Sequence, residues 1–509
     1  MRPPPSHQPN APPCSMTFTP LKHIVFIPGP PWGHLRPGLK TALRMTEKFP
    51  DLFISLFVYS TEVSKATKYL NAQPSAFSRR VRLVTAASNE GDPAMSPGNE
   101  IEMLNALESA FGLWMTKEVQ QPTIVQVDGR PINQPSMIIE DVFSGGVGLA
   151  CKDVHQLPIV AWWLMSAASL ISIVGDGRDA QDVDISEKTI QGDKSTLTET
   201  GQKYSQDNTN RLISIPGVPP FYEWEAATQD LPFMKPFMGY MMGRFMNMLK
   251  HAEAVICCTA FEYEPITASA ISSALKVAPF FIGPSVDVAS PHQPDPNSPV
   301  TQFLDRAYTE QGAHSVIYIA FGTFFFPPPS SMSLLMAAVD EIPKAGFKFI
   351  FALSSERAQI DQAWIDAHVQ AGNAIFPEWT NQTAVLEHPA IHYFLSHGGW
   401  NSSTEAIGDQ PLDATQIANV HDCGFELLQV RTGPAKSVAY QNGTDVKIVG
   451  TEDAVREEMK RILALSKGSR GEHQRTNMRL LGKVVADSLA PGGSGDMGLD
   501  RFGKALGLA

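Results

Sequence analysis

Short apolar, β-branched runs alternate with segments of helical spacing along this chain, in two separate series. In the first series, His23–Gly29 (HIVFIPG), Phe53–Tyr59, Val81–Ala86, Met137–Asp141, Pro158–Trp163, Ala254–Thr259 and Pro279–Gly283 read as strands. Helical patterns separate them, for example Leu35, Leu39 and Leu43, then Glu62–Leu70 and Ile101–Val119. The second series has strands at Ser315–Phe321 and Phe347–Leu353 and helices at Ser331–Ala345, Ala454–Leu465 and Gln474–Leu489. Strands that are apolar throughout need cover on both faces, and a helix after each strand supplies it in a parallel sheet. The predicted class is therefore α/β: two doubly wound, Rossmann-like domains facing each other across a cleft, where such sheets bind ligands.

The boundary between the series is a change of composition. Pro284–Pro299 (PSVDVASPHQPDPNSP) holds five prolines among polar residues and reads as a linker. The predicted organisation is a disordered tail over 1–20, an N-terminal domain over 21–283, a linker over 284–312, a C-terminal domain over 313–490, and a terminal helix over 491–509 that packs back on the N-terminal domain. The proline-rich start lacks the apolar core of a signal peptide. Leu157–Gly175 is an uncharged apolar run, but its early proline, its serines and its lack of basic flanks favour a buried strand and helix over a membrane span. Forty basic against 52 acidic residues give a net charge of −12, which argues against nucleic acid or anionic membrane as partner. Five scattered cysteines without metal spacing suggest free thiols in a reducing, cytoplasmic setting. The methionines at 234, 238, 241, 242, 246 and 248 could line an adaptable apolar pocket or simply pack in the core.

Chemistry concentrates between Phe376 and Leu428. An apolar run, Ile391–Leu395, ends at His397-Gly398-Gly399-Trp400-Asn401-Ser402-Ser403-Thr404-Glu405. Strand, glycine turn and capped helix start form the geometry that holds phosphate, because first-turn N–H groups are unpaired and the dipole is positive there. A second focus is His34 in PGPPWGHLRP, just after the first strand, with Asp141 ending the fourth in SMIIEDVF.

On these residues the chain resembles the family 1 UDP-dependent glycosyltransferases of the GT-B fold, fungal members above all, from His23 to the terminal helix. The resemblance implies a donor site in which the Trp379 ring stacks on uracil and Gln382 contacts the nucleoside. His397 and Thr323 would touch the diphosphate, with Gly399, Trp400, Asn401 and Ser402 forming the phosphate- and sugar-holding turn. Glu405 would accept from the ribose hydroxyls, while Asp409 and Gln410 read the sugar. It implies His34 as the general base that an acceptor hydroxyl needs, oriented by Asp141, with Glu140 as the fallback partner. The implied reaction is an inverting displacement with a UDP-sugar as co-substrate and neither cofactor nor obligatory metal. Glucose or xylose would pass to a hydroxyl of a lipophilic small molecule, a terpenoid or other secondary metabolite.

The resemblance breaks at one place. Glu405 and Asp409 are four residues apart, where about a dozen more residues, enough for a buried strand, intervene in the family. The neighbouring strand is then expected to lose a hydrogen-bonding partner, and Asp409 and Gln410 their reach to the sugar. Two other readings stand beside the enzyme. One is a non-catalytic UDP-sugar binder, motivated by that shortened box. The other is a nicotinamide-dependent oxidoreductase, resting on the doubly wound pattern alone.

Overall fold

The computed structural model describes residues 19–85, 99–174, 211–227, 235–285, 295–322, 326–355, 358–397, 414–431 and 438–508. Its first half is built on β1 (Leu21–Ile27), β2 (Leu52–Phe57), β3 (Val81–Val84), β4 (Gln126–Val127), β5 (Arg130–Asp141), β6 (Ile159–Trp163), β7 (Leu212–Ile213), β8 (Phe221–Tyr222), β9 (Ala254–Cys257) and β10 (Ala278–Phe281). The main sheet runs β10-β9-β6-β5-β1-β2-β3 with every neighbour parallel, while β4 adds antiparallel to β5. Strand alternation splits the core in two. Val25, Ile27, Ala161, Trp163, Val255 and Cys257 point into one apolar cluster, and Ile24, Phe26, Val160, Trp162, Ile256 and Cys258 into the other. That is why these strands read as unbroken apolar runs: each residue has a helix layer to meet. Strand β5 begins earlier than its apolar stretch suggests. Asp128 and Gly129 both take positive φ (55° and 75°), and an Asp-Gly pair of that kind turns a two-residue hairpin that pulls the polar segment Arg130–Ser136 into the sheet.

The second half carries β11 (Val316–Ala320), β12 (Lys348–Ala352), β13 (Ala374–Ile375) and β14 (Ile391–Ser396), in the parallel order β13-β12-β11-β14. A hairpin, β15 (Val438–Gln441) and β16 (Thr444–Lys447), follows. Both sheets thus reverse direction of winding beside their first strand, at β1/β5 and at β11/β14, where doubly wound sheets open a crevice.

The expected linker needs correction. Pro299–Gln311 is a helix whose Val300, Phe303, Leu304 and Ala307 pack with Val316, Tyr318 and Ile350, so it belongs to the C-terminal layer. Its prolines misled: Pro299 sits at the first helical position, which favours proline, and the Ser298 side chain caps by accepting from Val300 N at 3.3 Å.

Several contacts among the described residues tie the halves together. The Trp224 indole packs with Ala439 and Ile448 and donates to Val438 O at 3.1 Å, and Tyr222 donates to Asp445 at 2.7 Å. The terminal helix Ser494–Ala505 returns to β10 so closely that a Cβ at Gly498 would lie 1.8 Å from Phe281 O. Of the methionine-rich segment, the helix Lys235–His251 places Met241 and Met248 in the core; Met234 and the side chains of Met238 and Met242 lie outside the described residues.

Among the described residues no strand pairs with the outer edge of β14, the position where the shortened box predicts a lost partner. Side chains flank it instead. Tyr393 donates to Gln474 Oε1 at 2.7 Å, and Gln474 Nε2 donates to Gly424 O at 2.7 Å. The five buried residues of β11 contrast with the half-buried pattern along β14.

Candidate active site

The histidine of the first half is presented by a strand-to-helix turn. After β1 the chain passes through Pro28-Gly29-Pro30-Pro31, and the helix Trp32–Lys48 begins, placing His34 in its first turn. Registry pairs Ile27 with Glu140, so the C-terminal ends of β1 and β5 arrive side by side. Asp141, 2% exposed, then meets His34, 20% exposed, at 2.8 Å between Oδ2 and Nδ1. The same carboxylate accepts from Gly29 N and from Phe143 N, both at 2.9 Å. Gly29 is required by space: a Cβ there would come within 3.0 Å of both Asp141 Oδ2 and His34 Cβ.

Chemically, this is a carboxylate held by two backbone donors and by an imidazole. Because the carboxylate accepts at Nδ1, the His34 Nε2 lone pair is left to receive a proton from elsewhere. Phe143 covers one side of the ring at 4.5 Å between centroids and in turn meets Phe237 at 5.9 Å. The surroundings of the His34 ring are therefore aromatic. Glu140, the fallback partner, is not used. Strand alternation turns it to the opposite face, where Oε2 accepts from Gly148 N at 3.0 Å and burial pushes its pKa up to about 8.

In the second half, His397 follows β14 directly and lies against the turn at Gly322, whose φ is +76° and whose Cβ would come 3.3 Å from the ring. Registry pairs Ala320 with Ser396, which brings the ends of β11 and β14 together as β1 and β5 are brought together in the first half. Burial lowers the His397 pKa to about 4, so the ring is neutral near pH 7 and offers a hydrogen bond rather than a charge. Trp379 stands on the loop before the helix Gln382–Leu386 and is 56% exposed. Gln382 Oε1 accepts from the Tyr318 hydroxyl at 3.4 Å, and that hydroxyl also meets Thr380 Oγ1 at 2.7 Å. Thr323, Gly399, Trp400, Asn401, Ser402, Glu405, Asp409 and Gln410 lie outside the described residues.

The two halves of the site are joined through Lys65. Its ammonium is 4.2 Å from the ring centroid of Trp32, two residues before His34, and 5.2 Å from that of Trp379. Sequence reasoning missed Lys65, Trp32, Gly29 and Phe143. The run of prolines, tryptophan and glycine before His34 was the available signal for Trp32 and Gly29; a lysine on a polar helix face carried none.

Residues 265–420 match the family model described as UDP-glucoronosyl and UDP-glucosyl transferase. The chain is 23% identical over 493 residues to UDP-glycosyltransferase eriJ of Hericium erinaceus, covering 90% of this chain and 93% of that protein. It is 24% identical over 520 residues to UDP-glycosyltransferase 74C1 of Arabidopsis thaliana, covering 94% and 97%. Among solved structures it superposes on Medicago truncatula UGT71G1, complexed with UDP-glucose, with a TM-score of 0.66, 18% identity and coverage of 96% and 98%. Phytolacca americana UGT2, complexed with UDP-2fluoro-glucose and pterostilbene, gives a TM-score of 0.65 at 17% identity, with coverage of 96% and 100%.

Proposed function

Taking the chain as a UDP-dependent glycosyltransferase of the GT-B fold, we propose that it moves one sugar, glucose or xylose, from its UDP carrier to a hydroxyl of a lipophilic small molecule. The observation that carries this reading is the His34–Asp141 pair at 2.8 Å, set at the winding reversal of one sheet and linked through Trp32 and Lys65 to the exposed ring of Trp379 on the other half.

In this reading His34 Nε2 takes the proton of the acceptor hydroxyl as its oxygen bonds to the anomeric carbon. The bond from that carbon to the β-phosphate oxygen breaks, UDP leaves with the electron pair, and the configuration inverts. Asp141 favours the imidazolium that forms, since a carboxylate at hydrogen-bond distance strengthens as the ring gains charge. His397 donates to the diphosphate as a neutral ring, and Trp379 holds the base by stacking. The remaining donor contacts fall to Thr323, Gly399, Trp400, Asn401, Ser402 and Glu405. No metal is invoked: this reading gives the phosphates to hydrogen-bond donors and a helix start, the base to an aromatic face and the ribose hydroxyls to the Glu405 carboxylate. Phe143 and Phe237 beside the base support an apolar acceptor of the terpenoid or secondary-metabolite kind. No helix among the described residues is long and apolar enough to cross a membrane, which is compatible with work in the cytoplasm.

The test is UDP release over a panel of UDP-sugars and hydrophobic alcohols, with His34→Ala beside the parent. Product from a UDP-sugar that falls at least a hundredfold in His34→Ala supports the reading; an unchanged initial rate refutes it. One alternative is a binder of UDP-sugars without turnover, motivated by the four-residue spacing of Glu405 and Asp409. It expects UDP to raise the melting temperature while no donor and acceptor give product.

A further inference from the structure

Lys65 lies on the helix Val63–Asn71 of the first half, and Trp379 belongs to the second. One turn further along that helix, Tyr69 meets the edge of Trp32 at 6.2 Å and an interplanar angle of 78°. Trp32 is thus fixed from two directions by one helix, and the lysine of that helix reaches beyond it. An ammonium within about 6 Å of an indole centroid is attracted by the ring's negative face, and tryptophan is the strongest partner. Here one ammonium satisfies that condition for two indoles at once, at 4.2 Å and 5.2 Å, one on each half of the molecule. The charges near it are Glu62, which attracts it, and Arg36, which repels it. Partial burial pushes the Lys65 pKa down from the usual lysine range.

We propose that Lys65 is a cross-cleft latch on the nucleotide platform: it ties Trp32 to Trp379, and the base of the incoming donor displaces it. The inference rests on the reading of Trp379 as the base-stacking ring. A stacked base and the ammonium compete for the indole face, so the latch exacts a small penalty on binding and holds the His34 helix in register with the platform until the donor arrives.

The test uses the full chain with Lys65→Met, which keeps length and apolar stem but removes charge, and Lys65→Arg, which keeps the cation. UDP is titrated calorimetrically. Losing an exposed cation–π contact corresponds to about two- to fivefold, so Lys65→Met is expected to bind UDP that much more tightly, with Lys65→Arg close to the parent. Unchanged or weaker binding by Lys65→Met overturns the latch. In the ligand-free protein, acrylamide quenching of the Trp379 component, taken as the difference from Trp379→Phe, should rise in Lys65→Met and not in Lys65→Arg. If UDP binds none of the proteins, the donor-site reading fails, and quenching alone decides the latch: equal quenching in parent and Lys65→Met overturns it.

Discussion

Replacing Asp141 by asparagine separates the charge of that residue from its geometry. The carboxylate spends Oδ2 on His34 Nδ1 and Gly29 N, and Oδ1 on Phe143 N. An amide has one acceptor oxygen, so it must choose. With its oxygen in the Oδ2 place it keeps His34 and Gly29 and turns its NH₂ toward Phe143 N, leaving one buried donor unpaired. With its oxygen in the Oδ1 place it keeps Phe143 alone, opposes Gly29 N, and forces the wrong tautomer on His34. The first choice loses less and should prevail. The cost to catalysis is then the difference between a charge-assisted and a neutral hydrogen bond to the forming imidazolium, about 1–2 kcal/mol, or about 5- to 30-fold in kcat/KM. The unpaired Phe143 N adds about 1–3 kcal/mol of lost stability. Asp141→Ala removes every acceptor, so two buried N–H groups are orphaned at about 2–6 kcal/mol in all, and the imidazole is no longer oriented. Steady-state UDP release at saturating donor, with thermal unfolding of the same samples, reads both effects. If Asp141→Asn keeps kcat/KM within twofold of the parent, stabilisation of the imidazolium by the Asp141 charge is wrong. If Asp141→Asn is as inactive as His34→Ala, the preferred amide orientation is wrong.

Three further outcomes are expected. Trp379→Ala should weaken UDP binding by about 1–3 kcal/mol, the worth of one base on an aromatic ring, read by calorimetry; unchanged affinity would remove Trp379 from the donor site. Glu140, with a folded pKa of about 8 against an ordinary 4.5, keeps its proton across the range in which the unfolded chain has lost it. Stability should therefore decline as pH rises from about 5 to about 8, by up to about 1.4 kcal/mol per pH unit from this group, and level off above. Glu140→Gln should remove that part of the decline in urea unfolding series; an identical slope in both proteins counts against a protonated Glu140. Gly498→Ala would force the terminal helix off Phe281 O, 1.8 Å from the new Cβ, and should lower the melting temperature by several degrees, whereas Gly482→Ala, with open space around it, should not.

The sheets were readable in the chain because their strands are buried on both sides, and an unbroken run such as Ile24–Ile27 has few other uses. His34 and Asp141 were singled out by the family resemblance; Asp141 ends a buried strand and His34 opens the helix after another, and the structure brings the two together at a winding reversal. What the pattern hid depends on pairs distant in sequence or on turn chemistry. Lys65 looks like any solvated helix lysine until Trp379 is set against it. The Asp128-Gly129 hairpin turns a polar stretch into sheet, against its composition. Ser298-Pro299 reads as linker by composition and as a helix start by position. The core role of Met241 and Met248 was undecidable from spacing, since a pocket-lining and a core-packing methionine share one period.

The terminal helix has a consequence for how the molecule is made. Leu499, Phe502 and Leu508 belong to the same apolar cluster as Ile24, Leu39 and Trp162, and Gly503 admits the Phe49 ring where a Cβ would stand 2.4 Å from it. One wall of the first half is therefore supplied by a helix more than two hundred residues downstream of it. Synthesis that proceeds from the N-terminus leaves that wall open until the helix has been made, and the apolar patch around Phe49, Phe280 and Ile282 must be sheltered in the meantime. Truncating the final helix would be felt in the half of the protein that carries His34, far along the chain from the cut.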